Sequence, residues 1–250
     1  KAIRRQRQMC IRDRYDDVTY PMPENFYDKY EGRIPASKQE MSIIKDMDLV
    51  YDLKMADKEN EIHTTTGLEE AGRNMYNALN PEQKAVWDKH YDPIIAKFKQ
   101  DKLTGKALAE WKYQQYMHDY MRVIHSIDRN VGRVLKYLEE NGLMENTMIV
   151  YTSDQGFYMG EHGWFDKRFM YEESFRTPLL ARFPHGKKGK VSQMVQNIDY
   201  APTFLELAGV DIPEDIQGVS LKPVLTNEGN EPSDWRLSLI HISEPTRHLR

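Results

Sequence analysis

The strongest periodic signal lies between residues 105 and 140, where Met117, Tyr120, Met121, Ile124, Ile127, Val131, Val134, Leu135 and Leu138 recur at intervals of three and four. That spacing sets them along one side of a helix, and Asn141-Gly142 supplies a left-handed cap to end it. A second helix is predicted to open at Asn80-Pro81-Glu82-Gln83 and to run to about Lys99, because a cap is followed by proline at the first helical position and glutamine at the third. A third is expected over Ser37 to Met55, from the spacing of Met41, Ile44, Met47 or Asp48, and Tyr51, with Ser37 and Glu40 as a capping box. Ala56 to Leu79 is polar and weakly patterned. Asp17 to Ile34, rich in Pro, Tyr and Asp, reads as an extended surface connector.

After the long helix the period changes. Thr147 to Thr152 is a continuous β-branched and apolar run, which reads as a strand buried in a parallel sheet. Pro178 to Phe183 is a second candidate strand, and Asp199 to Leu207 a short helix capped by Asp199 with Gly209 beyond its end. A helix followed by such a strand indicates α/β layering. No internal repeat is visible, and Lys187-Lys188-Gly189-Lys190 is most economically a solvated loop.

At 250 residues, with 40% apolar and 11% aromatic positions, the chain is long enough to bury a substantial core. Its formal net charge of -4 gives no basic field and argues against nucleic acid as the main partner. An anionic substrate must therefore be met by locally placed Lys and Arg. No run approaches the ~18 to 20 apolar residues of a membrane-spanning helix. The single cysteine, Cys10, makes no internal disulfide and leaves the redox compartment open. Lys1 to Arg14 is strongly basic and lacks the apolar centre of a signal peptide. Segments 1–14 and 237–250 are similar to translated sequencing-adaptor read-through, so both are expected to be non-native, and residues 15–236 carry the fold.

Candidate chemistry begins where the predicted strand ends, at Ser153-Asp154-Gln155-Gly156. In open α/β sheets ligands gather beyond the carboxyl ends of strands, which favours Asp154 and Gln155 over other polar pairs. Adjacent side chains of a strand point to opposite faces, so both reach one ion only if the chain turns here, and Gly156 permits a turn. A carboxylate and an amide oxygen suit Ca²⁺, which takes about six to eight oxygen ligands. Two are too few. Taken alone, Asp-Gln-Gly is more often a plain turn than a metal site.

The wider run from Thr152 to Arg168 (Thr152-Ser153-Asp154-Gln155-Gly156, Gly160-Glu161-His162-Gly163, Lys167-Arg168) resembles the sulfatase family, whose segment reads strand, S-D-[HNQ]-G, G-E-H-G and then a lysine. The likeness continues through Tyr171 to Leu179 and Asn197 to Thr203, and covers roughly Tyr15 to Trp235. It implies an alkaline-phosphatase-like α/β sandwich with a mostly parallel central sheet, incomplete on its N-terminal side, plus a helical insertion at about 56–110. It also implies hydrolysis of sulfate esters at a formylglycine hydrate made from cysteine or serine. Asp154 then matches a Ca²⁺ ligand, Gln155 the neighbouring ligand position where His or Asn is commoner, and Lys167 the catalytic lysine that contacts the sulfate. His162 and Arg168 become candidates for substrate binding. For His162 a structural role in satisfying loop backbone groups stands slightly ahead, while Arg168 and Arg176 also fit a merely solvated surface. Trp164-Phe165 fits a sugar-stacking wall, or more commonly a core pair.

The family's nucleophile motif, C/S-x-P/A-x-R, is not met by Cys10-Ile11-Arg12-Asp13-Arg14, which has arginine where proline or alanine belongs. Cys10 is therefore not expected to be the nucleophile. The nucleophile and the paired aspartates are expected upstream of Tyr15, and because nucleophile loss costs ~10⁶ in rate, this fragment alone should be inactive. The subfamily likeness is to bacterial enzymes acting on sulfated carbohydrate, in the neighbourhood of N-acetylglucosamine-6-sulfatases and iduronate-2-sulfatases, and it implies a periplasmic or extracellular location for the whole protein. Two other readings remain: a phosphodiesterase or phosphonate hydrolase of the same superfold, and a non-catalytic glycan-binding module in which Met117 to Leu138 is a core-facing stripe.

Overall fold

Helix positions follow the capping chemistry closely. In the computed structural model, which describes residues 14–184, 186, 188–226 and 235, α2 (Pro81–Asp101) opens with Asn80 Oδ1 accepting the Gln83 N–H at 2.9 Å. Gln83 Oε1 returns the contact to the Asn80 N–H at 3.0 Å, completing a reciprocal cap. The long α3 spans Gly105–Glu140 and gives way at Gly142, whose φ of 66° is left-handed. A further helix, α1 (Glu69–Asn77), forms inside the stretch that showed little pattern. Its Gly72 lies against the backbone of Val50 and Tyr51, where an added Cβ would come within 2.7 Å.

The chain divides into two compact units, and the first comprises residues 1–138 with 155–177. Its core gathers Phe26, Ile43, Met47, Val50, Leu53, Met55, Ile62, Tyr91, Ile95, Tyr113 and Met117 around one flank of α2 and α3. The apolar stripe of α3 is buried toward its N-terminal half: Met117 is inside, while Ile127 is 42% and Val134 59% exposed. The connector before Ile34 is strapped to α3, with the Tyr20 N–H and carbonyl both paired to the Gln114 amide at 2.9 and 2.8 Å.

No helix forms over Ser37 to Met55. After a single turn at Ile34–Ser37 the chain proceeds in tight turns. The cause is competition from short acidic side chains for the backbone donors a helix would use. Asp46 Oδ2 accepts the Ser42 N–H at 2.7 Å, Asp48 Oδ1 accepts the Val50 and Tyr51 N–H at 2.7 Å each, and Asp52 Oδ2 accepts the Asp48 N–H at 2.8 Å. This path buries Met41, Ile43, Met47, Val50, Leu53 and Met55, and leaves Ile44 and Tyr51 exposed, a set no single helical stripe would select. Burial pushes the Asp48 carboxyl up, but hydrogen bonds from Thr64, Thr66 and the two backbone donors outweigh it and hold it low. Lys112 of α3 is buried beside it and donates to the Met47 carbonyl at 2.6 Å.

The second unit comprises residues 139–154 with 178–250. Both predicted strands form there, as β1 (Ile149–Thr152) and β4 (Leu179–Arg182). They pair antiparallel, Ile149 opposite Arg182 and Thr152 opposite Leu179, whereas the sequence favoured a parallel neighbour, and no parallel pair occurs among the described residues. The intervening excursion returns the chain beside β1 in the opposite direction. β1 is only half-buried, with Tyr151 at its exposed position.

In the same unit α4 (Tyr200–Leu207) follows Asp199, which sits at the cap position without capping through its side chain. The buried Asp199 carboxylate instead accepts the Gln196 N–H at 2.7 Å and the Val219 N–H at 2.9 Å, joining the helix start to a segment twenty residues on. Thr203 continues the join, its hydroxyl donating to the Asp199 carbonyl and accepting the Leu221 N–H at 2.8 Å. Cys10 with most of the first adaptor-like segment, all of 237–250, and Lys187 lie outside the described residues.

Candidate functional site

In the second unit, the end of β1 is pinned from one side. Thr152 Oγ1 lies 2.8 Å from the Tyr200 hydroxyl, and Asn197 Nδ2 donates to the Ser153 and Asp154 carbonyls at 3.4 and 3.2 Å. Asp154 itself is exposed. Its backbone is therefore fixed while its carboxylate faces solvent, touched by the Ser153 hydroxyl at 3.4 Å.

In the first unit, the loop from Gln155 to Arg168 is built around close approaches. The Gly156 N–H donates to the Ser174 carbonyl at 2.8 Å, and a Cβ at Gly156 would stand 2.0 Å from the Glu173 carbonyl oxygen. Glycine is required here by contact, beyond the turn freedom the sequence suggested. A short hairpin follows, β2 (Tyr158–Met159) paired antiparallel with β3 (Phe165–Asp166). Between them Gly160, His162 and Gly163 all have left-handed φ, at 109°, 57° and 70°. A side chain at Gly160 would strike the Tyr113 ring, and one at Gly163 the Phe26 carbonyl. The Gly-Glu-His-Gly pattern thus encodes a tight hairpin seated on α3 and the connector.

His162 is committed to that seat. Its Nδ1 lies 2.6 Å from Asp28 Oδ2, Asn25 Nδ2 is 3.3 Å from its Nε2, and its carbonyl accepts the Tyr30 hydroxyl proton. Asp28 in turn receives both Arg33 Nη2 contacts, at 2.6 and 2.7 Å. Trp164 is 1% exposed among the rings of Tyr30, Tyr158, Phe169 and Tyr171, so it serves the core and not a sugar-facing wall.

Burial pushes the Asp28 carboxyl up, yet hydrogen bonds from Arg33, His162 and the Tyr30 N–H hold it well below the usual carboxylate range. Asp57, buried and paired with Lys99 at 2.7 Å, is brought down to about 2 in the same way. Both are depressed in the folded state, so their stabilisation is complete above the unfolded value near ~3.9 and is lost as pH falls through the folded value. Chemical-denaturation midpoints should therefore drop progressively from about pH 5 down to about pH 2, and Asp28→Asn should flatten that fall. An equally steep fall in the variant would contradict the assignment.

Lys167 and Arg168 are both exposed. Arg168 is spoken for: Nε pairs with Asp166 Oδ2 at 2.7 Å and Nη2 donates to the Glu40 carbonyl at 2.6 Å. Arg176 pairs with Glu172 at 3.8 Å, both side chains solvated. Lys167 is anchored through its backbone, where its carbonyl accepts the Ser174 hydroxyl proton at 2.6 Å. Ser174 thus clamps both ends of the loop, holding Gly156 by its carbonyl and Lys167 by its hydroxyl. Sequence reasoning passed over it, although it stands in the Tyr-Glu-Glu-Ser-Phe-Arg run that carries the family likeness.

Asp154 and Gln155 are hard oxygen donors of the kind Ca²⁺ takes, but two fall short of the six to eight or so such an ion holds. Among the described residues no group of three or more His, Cys, Asp or Glu side chains is arranged to hold a metal. The donors fit in kind, and the remainder of a coordination sphere must come from elsewhere.

Residues 160–244 match the family described as N-sulphoglucosamine sulphohydrolase, C-terminal, and residues 63–201, more than half of the chain, match Protein of unknown function (DUF229). An N-acetylglucosamine-6-O-sulfatase of Bacteroides thetaiotaomicron is 49% identical over 225 residues, which is 89% of this chain and 40% of that protein. A multifunctional alkaline phosphatase superfamily protein of Trinickia caryophylli is 36% identical over 171 residues, 65% of this chain and 33% of its own length. A solved structure in complex with its substrate, D-glucosamine-2-N,6-O-disulfate, superposes with a TM-score of 0.80 at 46% identity, over 92% of this chain and 46% of that one. The chain spans less than half the length of each.

Proposed function

We propose that this chain, which belongs to the sulfatase family and matches DUF229 over more than half of its length, forms the C-terminal part of a catalytic domain that hydrolyses sulfate esters of sulfated glycans. The likeness to the Bacteroides sulfatase over nearly the whole chain carries this reading. On it, glucosamine 6-sulfates are the substrate class, and the fold completes as an alkaline-phosphatase-like sandwich with a mostly parallel sheet. The segment upstream supplies the formylglycine, the whole protein is exported, and the present chain alone does not turn over substrate.

Asp154 and Gln155 contribute two oxygen ligands to Ca²⁺, which when bound orients and polarises the sulfate. The support is positional: a solvent-facing carboxylate on a backbone held by Asn197 needs no rearrangement to receive a cation. Lys167 binds sulfuryl oxygens and stabilises the charge that grows on them as the ester bond breaks. Its exposure leaves the ammonium open to an anion, and Ser174 holds the backbone that carries it. His162 and Arg168, whose side chains already have strong protein partners, shape the loop more than they touch substrate.

The Trinickia relative keeps phosphoryl chemistry as the second reading. Metal removal tests the first. Chelator treatment of the full-length protein should stop sulfate release from glucosamine 6-sulfate, and added Ca²⁺ should restore it; release undiminished by chelator would exclude the metal assignment.

A further inference from the structure

Within the first unit a cavity of about 550 Å³ opens beside α3. That volume lies in the range of ligand pockets, roughly 300 to 1,000 Å³. Its apolar wall is made by Tyr116, Phe157 and Phe165, and Val123 stands at an exposed position on its edge. Its polar side is made by Lys54, Asp119 and Arg122. Lys54 and Arg122 are both paired with Asp119, at 3.2 and 3.0 Å.

Charge pairing decides what such a cavity prefers. With each cation already facing a carboxylate, no strong field awaits a sulfate or a phosphate. What remains is a set of charge-assisted donors and acceptors opposite flat aromatic surface, the combination that suits a ring with hydroxyls on its edge and C–H groups on its face. Asp166, the residue before Lys167, also lines the cavity, so it adjoins the loop that bears the sulfate-binding lysine.

We propose that this cavity is a carbohydrate subsite for an uncharged pyranose of the glycan, its face against Phe157 and its hydroxyls on the Lys54–Asp119–Arg122 set. The inference rests on the sulfated-glycan reading and extends it from one sugar to an oligosaccharide.

The test uses the full-length protein and an unsulfated probe, chitobiose, in calorimetric titrations. The protein should bind it saturably, and Phe157→Leu and Val123→Trp, the second of which fills the mouth from an exposed position, should each weaken binding by roughly tenfold, the equivalent of one lost ring contact. Thermal melts of both variants should stay close to the parent. Lys167→Ala should leave chitobiose binding unchanged. No saturable binding, or binding indifferent to both cavity variants, would overturn the subsite. Because the probe carries no sulfate, its binding stands or falls separately from sulfate release by the full-length protein.

Discussion

Asp154→Ala in the full-length protein is expected to reduce calcium-dependent sulfate release by more than the ~10- to 100-fold that loss of an outer-shell metal partner costs. The substitution removes the negatively charged donor that the described residues offer at the strand end, and Gln155 contributes a neutral oxygen that cannot replace it. Folding should be spared. The carboxylate is exposed and, among the described residues, meets the Ser153 hydroxyl, while the contacts that hold the strand end run through the Asp154 carbonyl, which alanine keeps. Sulfate release followed by ion chromatography, beside thermal melts of both proteins, separates a lost ligand from a lost fold. An unchanged rate would refute the metal assignment.

Lys167→Ala should cost about 10²- to 10³-fold in kcat, in line with removing one preorganised charge-stabilising donor. The effect should fall on kcat more than on KM, since the contact strengthens as charge develops on the sulfuryl oxygens. Lys167→Arg should recover only part of the loss, because a planar guanidinium does not reproduce a compact ammonium. Stability should not change, as the loop is held by the Lys167 carbonyl and Ser174. A variant that lost activity together with its melting transition would point to a structural role instead.

The sequence disclosed elements whose signals are local. The α2 cap is chemistry written in four consecutive residues, and α3 is a long periodic run, so both appear where expected. Ser37 to Met55 misled because Met41, Ile44 and Tyr51 imitate helical spacing, while the deciding interactions are side-chain carboxylates that capture N–H groups two to four residues away. α1 was hidden by its polarity; its one fully buried residue is Gly72, against the Val50 backbone, with Tyr76 half-buried on the core.

At the site, residue types and loop position were legible, but partners distant in sequence were not. His162 could be seen as ambiguous, yet Asp28 and Asn25, which settle its engagement, lie more than a hundred residues earlier. Trp164 proved to be core because Tyr30, far earlier in the chain, stacks on it while Tyr158, Phe169 and Tyr171 close around it from its own stretch of sequence. Strand direction was likewise a non-local property: nothing within Thr147 to Thr152 specifies that Leu179–Arg182 returns antiparallel to it.

Substrate choice is the most direct discriminator between sulfuryl and phosphoryl chemistry. Initial rates of the full-length protein on glucosamine 6-sulfate and on a phenylphosphonate monoester, measured side by side in Ca²⁺, should give the higher kcat/KM for the sulfate ester. Turnover of the phosphonate monoester with no sulfate released from the sugar would contradict the assignment.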